Sequence, residues 1–290
     1  MQTDWDIHVI TAKIKQYEKI ARHLEPDPKQ RESLQKEVLN LTESFLNSLE
    51  SRKAYQAIPT MGIGIRDLAV ENQPKPMSTL MDTLQQHMVE PGLCPASGGH
   101  IAYIPGGGVY PSALGDYIAD ITNEYAGVFY AGPGAVRIEN VLIEWLCSLF
   151  NYPKDAGGNL TSGGSIANLI SIVTARDARK ISARQIPDQV IYMTQQTHHC
   201  VKKAINIAGL KETTIRYINM DDRYRMDTDH LASSILHDID NGLSPCMVIA
   251  SAGTTDTGAV DPLYDISKIC KDHKLWFHVC LLYTSPSPRD

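Results

Sequence analysis

The sequence predicts an α/β fold, a mainly parallel sheet with helices on both faces, preceded by a helical N-terminal segment. Three observations predict it. From about residue 160 onward, short apolar runs alternate with longer stretches of 3.6-residue periodicity, the pattern of strands joined by helical crossovers. Before about residue 95 the helical periodicity occurs with Pro-rich links and no such alternation. The chain has 290 residues, 43% of them hydrophobic, enough to bury a large core in one large domain or two smaller ones.

Taken in order, Ile14, Tyr17, Ile20 and Ala21 share one helical face, and Leu34, Val38, Leu41 and Phe45 share a second. Near residue 95 the texture changes to glycine punctuation, SGGHIAYIPGGGVYPSALG, which places a boundary there between a helical segment, 1–95, and an α/β domain. A helix through Leu114, Ile118, Ile121 and Tyr125 follows, then a strongly amphipathic one through Ile138, Val141, Leu142, Trp145 and Leu149 that stops before Pro153. A helix opens in TSGGSIANLISIVTARDARK, and Val190 to Met193 is a strand. His198 to Ala208 is helical and ends at Gly209. Thr214 to Ile218 is a strand, Thr228 to Asp240 a helix before Gly242, and Met247 to Ala252 a buried strand. Asp261 and Pro262 suit the N-cap and first residue of a helix that gives way to the strand LWFHV.

Net charge is −6, with no Lys/Arg block, so neither a nucleic acid nor an anionic membrane is an expected partner. The start, MQTDWDIHVI, lacks the basic and apolar regions of a leader, and no apolar run reaches membrane-span length. A cytoplasmic location is the expectation. Cys94, Cys147, Cys200, Cys246, Cys270 and Cys280 lie far apart without a C-x-x-C pair, which argues for reduced thiols over disulfides or a zinc knuckle.

In a parallel sheet ligands bind at the carboxyl ends of strands, and three clusters fall there. Thr161-Ser162-Gly163-Gly164-Ser165 opens a helix that is apolar at Ile166, Leu169, Ile170 and Val173. Glycines let an anion approach the backbone, and the helix dipole favours it; a plain connecting turn is the alternative. No Gly-Lys-Ser/Thr and no G-x-G-x-x-G follows, which disfavours the common nucleotide loops. Gln196-Thr197-His198-His199-Cys200 follows a strand. Adjacent side chains diverge and do not easily share one tetrahedral metal ion, so no metal is expected. His198 can stack on a flat heterocycle, worth ~0.5–1.5 kcal/mol by analogy with aromatic pairs, or simply cap a helix. Ser251 to Gly258 gathers hydroxyls and glycines after the next strand.

These stretches, with HIAYIPGGGVYPSALGDYIADITNEYAG before them and ASAGTTDTGAVDPL and WFHV after, resemble the pyridoxal-phosphate-dependent group II amino-acid decarboxylases, most of all the aromatic-L-amino-acid branch. The resemblance spans about residues 75 to 279 in consistent order. It implies the type I (aspartate aminotransferase-like) fold, with 96–279 as an incomplete cofactor-binding large domain. It also implies pyridoxal 5'-phosphate as cofactor, decarboxylation of a small-molecule substrate, an aromatic L-amino acid, to the amine and CO2, and a homodimer with sites at the subunit interface. By position, Gly163, Gly164 and Ser165 would hold the cofactor phosphate. His198 would cover the pyridine ring as the catalytic stacking residue, and Thr255 would line its other side. Tyr103, Pro105 and Gly106 would contact substrate or cofactor. Asp261 matches a motif aspartate that helix capping would equally explain. Other chemistry on the same cofactor, on acidic substrates or by transamination or aldehyde formation, stays open, as does a non-catalytic binding or dimerisation role.

The family's strand ending in His-Val continues into Asp-Ala-Ala, whose aspartate pairs with the ring nitrogen; here that position is Cys280. A thiol, with pKa about 8.5, does not hold a pyridinium proton as a carboxylate does. The stretch CLLYTSPSPRD, 280–290, is similar to a translated sequencing adaptor, so a non-native tail is expected. With it go three further expectations: the cofactor-anchoring lysine and the C-terminal domain are missing, and this chain is itself inactive.

Overall fold

The computed structural model describes residues 7–59, 62–68, 74–101 and 106–281. The chain packs as two compact units, 1–118 and 119–290. The change of texture near residue 95 thus falls inside the first unit.

The first unit is mainly helical. It contains α1 (Ile7–Ala21), α2 (Pro28–Asn47), β1 (Tyr55–Gln56), α3 (Ile63–Arg66), α4 (Met77–Leu84) and β2 (Gly92–Leu93), and the division between units falls within α5 (Tyr110–Thr122). Asp27 starts α2 with a reciprocal cap: its Oδ1 accepts from Gln30 N at 2.9 Å, while Gln30 Oε1 accepts from Asp27 N at 2.8 Å, and Pro28 stands at the first helical position. β1 and β2 pair antiparallel over two residues each. The expected helix through Tyr125 stops at Thr122, because Asn123 turns left-handed at φ 47°.

The second unit carries the α/β layers. After α6 (Pro133–Leu149) come α7 (Gly164–Ala178), β3 (Gln189–Met193), α8 (His199–Ile207), β4 (Thr214–Tyr217), α9 (Thr228–Asp240), β5 (Ser244–Ser251), α10 (Leu263–Asp272) and β6 (Trp276–Cys280). The four long strands form one sheet, order β4-β3-β5-β6, with every neighbouring pair parallel. Gly209, at φ 79°, ends α8 as expected. Alternate side chains go to opposite faces. Ile191, Met193, Met247 and Ile249 join Ile172, Val201 and Ile205 of α7 and α8 in one core. Val190, Tyr192, Val248 and Ala250 join Leu231, Ile235 and Ile266 of α9 and α10 in the other. Burying β3 on both faces explains why it reads as a continuous apolar run.

The second core also encloses a charge. The Asp238 carboxylate, 1% exposed, accepts from the Tyr192 hydroxyl at 2.9 Å and from Arg216 Nε at 3.1 Å, with a second ion-pair contact from Arg216 Nη2. A buried carboxylate persists in such a place only when paired and hydrogen-bonded.

Candidate functional site

The carboxyl ends of β3, β5 and β6 and the N-termini of α7 and α8 converge on one edge of the sheet. The α7 terminus is built by Gly163, which caps the helix at φ 131°, ψ 168°, a conformation essentially restricted to glycine. A Cβ at Gly163 would have no heavy atom within 4 Å, so the space in front of this turn is open. Ile166 N and Ala167 N both reach Gly163 O at 3.1 Å. The amides of Gly164 and Ser165 precede these bonds and have no intrahelical acceptor, which makes this helix start favourable for an anion.

His198 caps α8. Its Nδ1 accepts from Cys200 N at 3.3 Å, so the lone pair is on Nδ1 and, in the neutral ring, the proton is on Nε2. The imidazole lies 4.1 Å from that of His199, tilted by 39°. Burial and then the neighbouring His199 lower the pKa of His198, while Asp256 opposes them. Two buried oxygens just before His198, Gln196 Oε1 and Thr197 Oγ1, have no hydrogen-bond partner among the described residues; buried polar atoms of this kind call for a ligand or water.

In the third cluster Thr254 is buried and its hydroxyl lies 2.6 Å from that of Thr257, while Thr255 and Asp256 stand exposed in the turn between them. Asp261 corrects the expected helix cap: α10 begins at Leu263, with Pro262 at its N-cap and no side-chain cap bond. The Asp261 carboxylate, 3% exposed, instead accepts from Met226 N and Ser251 N, both at 2.7 Å. It braces the end of β5 against the segment before α9. Burial raises its pKa, with the two amide bonds opposing.

Two residues at this edge were not singled out from the sequence. Asn168, four residues into α7, and His278, in β6, are joined by a 2.7 Å bond between Asn168 Oδ1 and His278 Nε2. Their signals were faint: one carboxamide on an otherwise apolar helical face and one imidazole within an apolar strand. Burial alone pushes the His278 pKa down to about 4. Cys280 is the last residue of β6, paired with Ser251. Tyr103 and Pro105 lie outside the described residues, and Gly106 sits in the irregular stretch before α5.

Two cavities flank the convergence. One of about 670 Å³ borders α7 and β6 at Thr161, Ala167, Ser171 and His278; one of about 370 Å³ lies along α8 at Thr197, His198, His199 and Lys202. Among the described residues no group of three or more His, Cys, Asp or Glu is arranged to hold a metal ion.

An open glycine turn at one helix start, an imidazole capping the next helix and unpartnered buried oxygens at the carboxyl edge of a parallel sheet define a ligand-binding α/β protein with room for an anionic group. The comparisons make this class specific. The family model described as the pyridoxal-dependent decarboxylase conserved domain matches residues 59–283, and the chain belongs to that family. It is 36% identical over 187 residues to an aromatic-L-amino-acid decarboxylase of Bacillus atrophaeus, covering 64% of this chain and 38% of that protein. It is 29% identical over 270 residues to tyrosine decarboxylase 2 of Narcissus pseudonarcissus, covering 88% and 54%. The crystal structure of Oryza sativa TDC with PLP and tryptamine superposes with a TM-score of 0.79 at 26% identity, over 88% of this chain and 55% of that one. The chain thus spans about half the length, or less, of these relatives. The fold is the type I architecture expected from the sequence, and the open glycine turn at the start of α7 fits an anionic group such as the phosphate of pyridoxal phosphate.

Proposed function

We propose that the protein is a pyridoxal-phosphate-dependent carboxy-lyase that converts an aromatic L-amino acid to its amine and CO2, working as a cytoplasmic homodimer. The observation that carries this reading is the convergence of the Gly163–Ser165 turn, His198 and the 254–257 turn on one sheet edge, in a chain that matches the family model from 59 to 283. The names of the Bacillus and Narcissus relatives favour an aromatic substrate.

When bound, the cofactor supplies an electron sink for the pair released as the substrate's carboxylate leaves. The chain's residues prepare the place. The amides of Gly164 and Ser165 and the Ser165 hydroxyl hold the phosphate at the positive end of α7. His198, its ring fixed by the Cys200 amide, covers one face of the pyridine, and Thr255 lines the other. Asp261 holds the end of β5 in register through Ser251. The family resemblance assigns Tyr103, Pro105 and Gly106 to contact with substrate or cofactor. Ile138, Val141, Leu142 and Trp145 leave an apolar stripe of α6 exposed, the kind of surface a second copy covers.

The test is made on the purified protein. It is supplied with pyridoxal phosphate and offered L-tyrosine, L-tryptophan, L-phenylalanine and L-glutamate in turn, with CO2 and organic products measured. Amine and CO2 from the aromatic substrates are expected. Keto acid without CO2 refutes decarboxylation, aldehyde with CO2 refutes the amine as product, and release from glutamate alone refutes the aromatic assignment.

A further inference from the structure

Asn168 takes no part in the site as assigned above, yet every polar atom of its side chain is engaged. It is 5% exposed, on the inner side of α7. Its Nδ2 donates to Gly164 O at 2.9 Å, inside the glycine turn, and lies 3.5 Å from Cys200 Sγ and 3.8 Å from Cys280 Sγ. Its Oδ1 accepts from His278 Nε2 at 2.7 Å. One carboxamide therefore touches the start of α7, the residue whose amide fixes His198, and the end of β6. An apolar side chain would fill the same volume without the cost of burying an amide, so packing alone does not account for it.

The bonds also settle a protonation pattern. Gly164 O only accepts, so Nδ2 must face it, and Oδ1 must face His278. The imidazole then carries its proton on Nε2 and leaves Nδ1 as an acceptor. Cys200, whose pKa burial raises, and Cys280 are the thiols beside the amide, and sulfur is a weak hydrogen-bond partner.

We propose that Asn168 is a positioning residue: through Gly164 and His278 it locks the anion-holding turn of α7 to the end of β6 and fixes His278 as the Nε2–H tautomer. The tie sets the spacing between the phosphate end and the strand-end side of the bound group. The part concerning pyridoxal phosphate rests on the function proposed above; the part concerning His278 does not.

The experiment has two arms on the intact chain. Side-chain 15N NMR of uniformly labelled protein at pH 7 is expected to show His278 with its proton on Nε2; a proton on Nδ1 in the unmodified protein overturns the proposal without any variant. In N168D, nearly the same in shape, the carboxylate has no donor for Gly164 O and faces the imidazole directly. The His278 titration midpoint should rise by about 1–3 pH units, as expected for an opposite charge at this range, and the dissociation constant for pyridoxal phosphate, read by its absorbance, should rise roughly tenfold. The tautomer stays Nε2–H, because a carboxylate oxygen also accepts; an unchanged midpoint in folded N168D refutes the positioning role. If the unmodified protein shows the tautomer but does not bind pyridoxal phosphate, the functional reading falls while the Asn168–His278 tie stands. If N168D binds the cofactor as tightly as the parent, the tie does not set the cradle and the proposal fails.

Discussion

Replacing Gly163 with alanine separates the conformational demand of the helix start from its role toward an anion. At φ 131°, ψ 168° the backbone occupies a region that L-residues pay about 1–3 kcal/mol to enter. The added methyl meets no heavy atom within 4 Å, so no steric term adds to this within the protein, and G163A should lose about 1–3 kcal/mol of stability. At about 2–4 °C per kcal/mol for a domain of this size, the thermal midpoint should fall by several degrees. The same methyl occupies the open space in front of Gly164 and Ser165, where a phosphate would sit, so affinity for pyridoxal phosphate should fall by more than the strain alone explains. Circular dichroism melts with and without saturating cofactor measure both quantities. In the parent, cofactor should raise the midpoint; in G163A that rise should be absent. A variant within 0.5 kcal/mol of the parent and equally stabilised by cofactor would refute both the strain and the cradle.

Three further outcomes follow from the same geometry. Arg216→Ala leaves the Asp238 carboxylate buried with the Tyr192 hydroxyl as its remaining partner, and urea unfolding should show a loss of about 3–5 kcal/mol. His278, with its pKa lowered from 6.5 to about 4, binds fewer protons folded than unfolded between those values. Its contribution is present above pH 6.5 and lost as pH falls toward about 4, by up to about 3 kcal/mol; His278→Gln should flatten that part of the stability curve in urea titrations at pH 7 and pH 4.5. His198→Asn keeps an N-cap acceptor for Cys200 N and should unfold within about 0.5 kcal/mol of the parent. Removing the imidazole should still weaken pyridoxal phosphate binding measurably by absorbance titration.

The α/β layering was legible because it is written in local periods. The continuous apolar runs of β3 and β5 and the 3.6-residue faces of α8 and α9 depend on neighbours a few residues away, and Gly209 and the glycine turn at 163 mark boundaries by conformations that few other residues adopt. The errors arose where a local signal competed with a distant partner. Asp261 before Pro262 has the local chemistry of a helix cap, but its carboxylate is taken by amides at Ser251 and Met226, 10 and 35 residues away. Those two bonds satisfy buried donors at a strand end, where water does not reach; a cap on α10 would satisfy an amide that solvent serves nearly as well.

The same reasoning explains why the glycine turn and His198 could be found in the sequence while the groups holding them in place could not. Residues that meet a ligand at strand ends must be small, hydroxylic or aromatic, and they cluster in short motifs because each loop is short. The residue that sets the distance between two such loops has to bridge elements far apart in sequence: Asn168 reaches 32 residues to Cys200 and 110 to His278. Its signature is a single polar side chain on an apolar helical face, where burial without partners would cost about 1–3 kcal/mol. Such a side chain is stable only if the fold supplies both a donor and an acceptor, so an isolated carboxamide in the first two turns of a helix that starts with a glycine anion turn marks a tie between the ligand-holding loop and the adjacent strand end.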